Sequence, residues 1–175
     1  ILFVGRLNYY KGVEYLIEAM QEIAGQLLVV GNGPRLDELR DLTAELHLEG
    51  RVHFHTDVDD HELPAFYAAC DVFAFPSVAP SEAFGIVQVE AMLFGKPVVS
   101  SDLPTGVTFV NKHRETGLVV PRRNSAALAG ALDKLLQEED LRERLGETAR
   151  ERALRLFTKE RMARRVYGIY EELMG

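Results

Sequence analysis

One cysteine, Cys70, and no tryptophan occur in 175 residues. A lone thiol excludes an internal disulfide framework and a multi-cysteine zinc site. No apolar run approaches the roughly 20 residues of a membrane-spanning helix. No Gly- or Ser-rich linker, low-complexity tract or internal repeat divides the chain. The length therefore predicts a single domain, at roughly 100–200 residues per domain. Excess positive charge is also missing: 20 Lys+Arg stand against 27 Asp+Glu, a formal charge of −7. That balance argues against a surface that coats nucleic acid, while permitting a local cationic site. Apolar residues are plentiful at 47%, and a chain of this size buries roughly 68–70% of its unfolded surface without staples.

Apolar runs alternate with helical spacings. Residues 1–5, Ile-Leu-Phe-Val-Gly, read as a strand from the first position, with neither Met nor signal peptide. The expectation is a domain excised from a longer protein. Gly12–Ile23 has apolar residues at Val13, Leu16, Ile17 and Met20, a helical spacing. Leu27–Gly31 is a second strand, and Pro34–His47 a helix with Pro in its first turn. Arg51–His55 is a third strand, followed by a helix over Asp60–Ala69 with Asp60 as its cap. Val72–Phe75 is a fourth strand. Ala83–Phe94 is a helix capped near Ser81 and closed by Gly95. Pro97–Ser100 and Gly117–Val120 are the fifth and sixth strands, and helices follow at Ser125–Gln137, Leu141–Leu156 and Lys159–Leu173. Strands separated by helices imply right-handed crossovers. The fold class is α/β: a Rossmann-like, parallel, six-stranded sheet with helices on both faces. Ligands of such sheets sit beyond the carboxyl ends of the strands.

Three loops at those ends carry chemistry. The first, Gly5-Arg6-Leu7-Asn8-Tyr9-Tyr10-Lys11-Gly12, places two cations beside a helix start, which suits a diphosphate. The plainer reading is two solvated charges. The second, Gly31-Asn32-Gly33-Pro34, is not a GxGxxG and is more simply a tight turn. The loop after the fourth strand runs from Pro76 through Ser77, Ser81, Glu82, Phe84 and Gly85 into the next helix. Glu82 falls at the helix entrance and Glu90 eight residues later, about 12 Å along a helix. That is the span of a sugar plus a diphosphate. Glu90 sits among Ile86, Val87, Val89, Ala91 and Met92, where a carboxylate needs a partner. The plainer reading is a dipole-stabilising Glu82 and a surface Glu90.

The E-x7-E pattern in PS…SEAFGIVQVEAMLFGKPVVSSD, with FVGRLNYYKG, VVGNGP, ACDVFAFPS and ETGLVVP in order, resembles the nucleotide-sugar-binding C-terminal domain of retaining GT-B-fold glycosyltransferases, the group 1 family. The resemblance covers nearly the whole chain. It implies the C-terminal half of a GT-B fold, with the acceptor-binding N-terminal domain lying outside these residues. Arg6 and Lys11, with Gly5, match the donor-diphosphate site. Glu82 matches the catalytic-centre glutamate that contacts the donor sugar. Phe84, Gly85 and Ile86 match the stretch whose backbone meets sugar and phosphate, and Glu90 the glutamate that holds the ribose. The base region falls near His53–Asp57, with His55 and Thr56 as its residues. Two positions depart from the family pattern: Ala83 follows the first glutamate where Gly is common, and His55-Thr56 follow Phe54 where Gly is common.

The implied activity is transfer of a hexose from a nucleotide-diphosphate sugar, such as a UDP- or GDP-sugar, to a glycan or lipid-linked acceptor in polysaccharide biosynthesis. It is retaining and needs no cofactor and no metal. The isolated domain is expected to bind nucleoside diphosphate without turnover. The full-length protein is expected in the cytoplasm, with peripheral membrane association a further expectation and no nucleic-acid partner. Alternatives are a GT-B relative with other chemistry, such as a sugar-nucleotide epimerase or a phosphorylase, and a non-catalytic nucleotide-binding module. A Rossmann dehydrogenase lacks support, because Gly31-Asn32-Gly33 stands where an acidic residue belongs.

His53, His55 and His61 invite a metal reading that no further Asp, Glu or Cys spacing completes. Cys70 reads as a small core residue rather than a nucleophile. The Arg-rich helix Leu141–Arg155 reads as a solvated face. Arg6→Ala and Lys11→Ala are expected to weaken diphosphate binding and leave the fold intact.

Overall fold

The computed structural model describes residues 1–175. Six parallel strands, β1 (Leu2–Val4), β2 (Leu27–Val30), β3 (Val52–His55), β4 (Phe73–Phe75), β5 (Val98–Ser101) and β6 (Gly117–Val120), form one sheet in the order β3-β2-β1-β4-β5-β6. The central strands β1, β4 and β5 are buried from end to end, which is why β1 and β4 read as continuous apolar runs rather than alternations.

The chain has eight α-helices: α1 (Val13–Ala19), α2 (Leu36–Glu45), α3 (Leu63–Ala69), α4 (Ile86–Leu93), α5 (Val107–Val110), α6 (Ser125–Gln137), α7 (Glu139–Leu156) and α8 (Lys159–Met174). Two separate cores result. One joins Phe3, Leu16, Ile17 and Leu27 to Leu128, Leu132 and Leu135 of α6. The other joins Leu2, Phe73 and Phe75 to Val89 and Met92 of α4 and Ala149 and Ala153 of α7. Asn124 caps α6 by accepting from Ala127 N–H at 2.8 Å. The last helix, α8, buries none of its residues.

Several expectations change. The helix expected over Ala83–Phe94 begins only at Ile86, because Gly85 takes a left-handed conformation (φ 73°) that a helix cannot continue through. Ser81 therefore caps nothing, and Glu82 lies in a loop. Asp60 is not a cap either: α3 begins at Leu63 after Glu62, with Pro64 in its first turn. Pro34 belongs to the turn before α2, and the short helix α5 has no counterpart in the sequence reading. The Arg-rich α7 is not wholly solvated. Its Arg152 donates to the carbonyls of Phe109 and Val110 at 2.6 and 3.2 Å, satisfying the exposed end of α5.

Candidate functional site

Strand β1 lies between β2 and β4. The chain moves outward in one direction from β1 to β3 and in the other from β4 to β6. Loops leaving β1 and β4 therefore diverge and open a crevice at the carboxyl edge of the sheet. The two loops with the richest sequence signals flank that crevice.

The loop after β1 is braced by the loop after β2. Leu7 N–H donates to Asn32 O at 2.9 Å, and Arg35 N–H donates to Leu7 O at 3.2 Å. A Cβ on Gly33 would lie 2.5 Å from the Leu7 oxygen and 2.6 Å from its nitrogen. Only glycine fits there, so the Gly31-Asn32-Gly33-Pro34 turn acts as a support for the first loop. A 3₁₀ turn at Tyr9–Lys11 then delivers Lys11 inward.

Lys11 is buried, and its Nζ reaches Glu82 Oε2 at 2.6 Å. It lies 5.4 Å and 5.1 Å from the ring centroids of Tyr10 and Phe75. Ser77 Oγ donates to the same Glu82 oxygen at 3.1 Å. A second link, Val78 N–H to Tyr10 O at 2.8 Å, joins the two loops through their backbones. The cation from the first loop and the carboxylate from the fourth, 71 residues apart, thus form one unit. Arg6 is exposed and takes part in none of the ion pairs. It is a free cation at the crevice mouth.

Past Glu82 the backbone is unusual. Glu82 N–H donates to Ala79 O, and Gln88 N–H donates to Gly85 O. Between them the amides of Ala83, Phe84, Gly85, Ile86 and Val87 have no acceptor in the protein. Five consecutive free N–H groups run into the positive end of α4, an arrangement that binds anions.

Glu90 lies on α4, half-buried. Tyr67 Oη donates to its Oε2 at 2.7 Å, which supplies the partner that its apolar neighbours demanded. Burial, and then the bond to Glu90, push the Tyr67 pKa far above its usual value, so the hydroxyl stays a donor. Glu90 Oε1 makes no hydrogen bond within the protein. Glu90 lines a cleft of about 340 Å³ together with Asp60, Leu63, Pro64, Tyr67, Leu93 and Phe94. Tyr67 and Phe94 stack along one side, 5.6 Å between centroids. His55 and Thr56 do not line this cleft. His55 packs edge-on against Phe66 and Thr56 donates to Asp57 at 3.1 Å.

Among the histidines, His53 bonds Gln26 at 2.8 Å and His61 is exposed, and no group of three His, Cys, Asp or Glu side chains converges. Burial pushes the Cys70 thiol up to about 11. At neutral pH it is a thiol, not a nucleophilic thiolate. Native protein is expected to leave Cys70 unmodified by iodoacetamide, with alkylation only after denaturation. Alkylation of the folded chain at the denatured rate, read by mass spectrometry, would contradict that burial.

Ser77 and Tyr67 escaped the sequence reading as site residues. For Tyr67 the signal was Glu90's need for a donor. For Ser77 there was none, because its partner is set by loop geometry.

Residues 1–152 match the family model described as glycosyl transferases group 1. The D-rhamnosyltransferase WbpZ of Pseudomonas aeruginosa is 41% identical over 157 residues, 90% of this chain and 41% of the relative. The O-antigen chain mannosyltransferase C of Escherichia coli is 33% identical over 173 residues, 99% of this chain and 46% of the relative. The chain thus spans less than half the length of these relatives. Among solved structures, sucrose-phosphate synthase from Thermosynechococcus elongatus superposes with a TM-score of 0.88 at 37% identity, covering 99% of this chain and 45% of that one. HepE of Anabaena in complex with UDP-glucose gives 0.90 at 29% identity, covering 98% and 48%.

Proposed function

The chain belongs to the glycosyl transferases group 1 family, and from that premise we propose that it holds the nucleotide-diphosphate sugar for transfer of a hexose. The observation that carries this reading is the run of five unpartnered amides from Ala83 to Val87, ending at the start of α4. The first loop adds Arg6, exposed and without an ion-pair partner, and α4 adds the carboxylate of Glu90, bonded through one oxygen only. The diphosphate lies along the amides and between the cations. The ribose hydroxyls donate to Glu90 Oε1, with the base directed toward the third strand's end at His55 and Thr56. The UDP-glucose held by the Anabaena neighbour supports a donor of this class. The rhamnosyl- and mannosyltransferase relatives support a hexose.

The chemistry follows from charge. As the sugar–phosphate bond breaks, negative charge grows on the diphosphate. Arg6, Lys11 and the free amides are positioned to stabilise it, and such fixed donors are the largest catalytic term in many enzymes. An ammonium has three donors, so Lys11 can hold Glu82 and a phosphate oxygen together. Glu82, tied through Oε2, keeps Oε1 for the sugar. The acceptor hydroxyl attacks the face the diphosphate leaves, with retention. It arrives on the part of the protein beyond these residues, a glycan or a lipid-linked sugar held at the cytoplasmic face of a membrane. No helix here is long and apolar enough to cross one.

Titration calorimetry with UDP, GDP, ADP, UDP-glucose, GDP-mannose and NAD tests the reading. At least one nucleoside diphosphate and its sugar conjugate bind, NAD does not, and no sugar is transferred by the chain alone. Arg6→Ala weakens the diphosphate by about 10- to 150-fold, the worth of one charged hydrogen bond, with the melting temperature unchanged because Arg6 is exposed. Binding of none of these nucleotides would sink the proposal.

A further inference from the structure

Gln88 is a buried polar residue with no role in the reading above. It stands at the third position of α4, with 0% of its surface exposed. Its Nε2 donates to Phe84 O at 3.0 Å, while its Oε1 is buried and has no partner at all. Buried acceptors are satisfied in the great majority of cases, and one left alone weakens the fold. The amide cannot be reversed to cure this, because its nitrogen is needed at the Phe84 carbonyl. A residue kept for packing alone would be served better by an apolar side chain of the same length. What glutamine adds at this place is a donor aimed at one backbone carbonyl.

That carbonyl lies inside the run of free amides. Two successive carbonyls of the run are pinned from opposite sides: Ala83 O accepts from Gly106 N–H at 2.8 Å, and Phe84 O accepts from Gln88. A carbonyl and the N–H of the following residue belong to one rigid peptide plane. Holding Ala83 O fixes the direction of Phe84 N–H, and holding Phe84 O fixes that of Gly85 N–H. The space around the second plane is also closed. A Cβ on Gly85 would come within 2.4 Å of the Phe75 ring and 2.9 Å of Gln88 Nε2.

We propose that Gln88 is a positioning residue, which orients the Gly85 peptide so that its N–H and those beside it converge on the donor's second phosphate. The proposal rests on the donor-binding reading of the same loop. It accounts for the unpaired oxygen: the fold tolerates a lone acceptor in order to place a donor.

The test compares nucleoside mono- and diphosphates (UMP with UDP, GMP with GDP) on wild type, Gln88→Met and Gln88→Glu by calorimetry, with melting temperatures alongside. Met keeps the length and removes both the donor and the orphan oxygen. Glu keeps the shape but turns an acceptor toward Phe84 O. In wild type the second phosphate tightens binding. In Gln88→Met that gain shrinks by about tenfold or more, monophosphate affinity is unchanged, and the melting temperature is at or above that of wild type. In Gln88→Glu the gain is lost as well, with a lower melting temperature. An undiminished second-phosphate gain in Gln88→Met would overturn the proposal. So would a fall in melting temperature with both nucleotides weakened by one factor, since that describes a structural role. Failure of wild type to bind any of the four nucleotides is a different result, which removes the donor-binding reading itself.

Discussion

Lys11→Met destabilises the chain by about 3–5 kcal/mol, the usual consequence of stripping one partner from a buried ion pair. The side chains of Lys11 and Glu82 are 11% and 10% exposed, and the pair is 2.6 Å long. Without the ammonium, Glu82 keeps only Ser77 as a donor to its buried oxygen. Glu82→Gln removes the counter-charge in turn, leaving the cation a neutral amide oxygen and the Tyr10 and Phe75 rings. The double variant Lys11→Met/Glu82→Gln recovers most of the loss, because removing both charges together leaves nothing uncompensated. Urea denaturation of the four proteins checks this, reading midpoints at constant m-value. Losses that simply add would mean that the two side chains do not share one interaction. The expectation from sequence, that Lys11→Ala weakens diphosphate binding and leaves the fold intact, takes Lys11 as a ligand-binding residue with no structural partner. Its burial against Glu82 and two aromatic rings overturns that. Arg6, exposed and unpaired, keeps the original expectation.

Glu90→Ala costs the second large effect, this time in binding. One charged hydrogen bond to a ribose hydroxyl is worth about 1.5–3 kcal/mol, or roughly 10- to 150-fold in affinity. Since the ribose is common to both, nucleoside diphosphate and nucleotide-sugar weaken together. Tyr67→Phe produces a smaller loss of the same kind, by releasing Oε2 and letting the carboxylate turn. The contact of Glu82 with Lys11 changes what is expected of its variants. A Glu82 contact to sugar alone would spare the free nucleotide. Bonded to Lys11, however, Glu82 also sets the position of the cation proposed for the diphosphate. Glu82→Gln therefore weakens both ligands, the nucleotide-sugar more. Calorimetry with UDP against UDP-glucose, and GDP against GDP-mannose, separates the cases. A Glu90→Ala variant that loses only the nucleotide-sugar would exchange the roles of the two glutamates.

Much of this was legible along the chain. The strands of a parallel sheet are buried on both faces, so Leu2–Val4, Leu27–Val30 and Phe73–Phe75 appear as unbroken apolar runs in sequence. The crossover rules then order the layers, and Gly95 marks a helix end through local backbone chemistry. Arg6, Lys11 and Glu82 stood out on loops beyond the carboxyl ends of buried strands, and Glu90 stood out as a carboxylate among apolar neighbours, where it needs a partner.

What the linear order could not show was which of these charges meet. Ala83–Phe94 has helical composition throughout, yet the helix waits for Ile86. The Gly85 turn fits against the Phe75 ring, a contact made through tertiary packing. The partnership of Lys11 with Glu82 and Ser77, of Glu90 with Tyr67, and of Phe84 with Gln88 depends on side-chain directions within a crevice. Composition and periodicity decide which residues leave water, because burial acts on each residue's own surface. Pairing between polar groups is decided by ångström-scale distances and angles, and those exist only once the loops after β1 and β4 have been brought together.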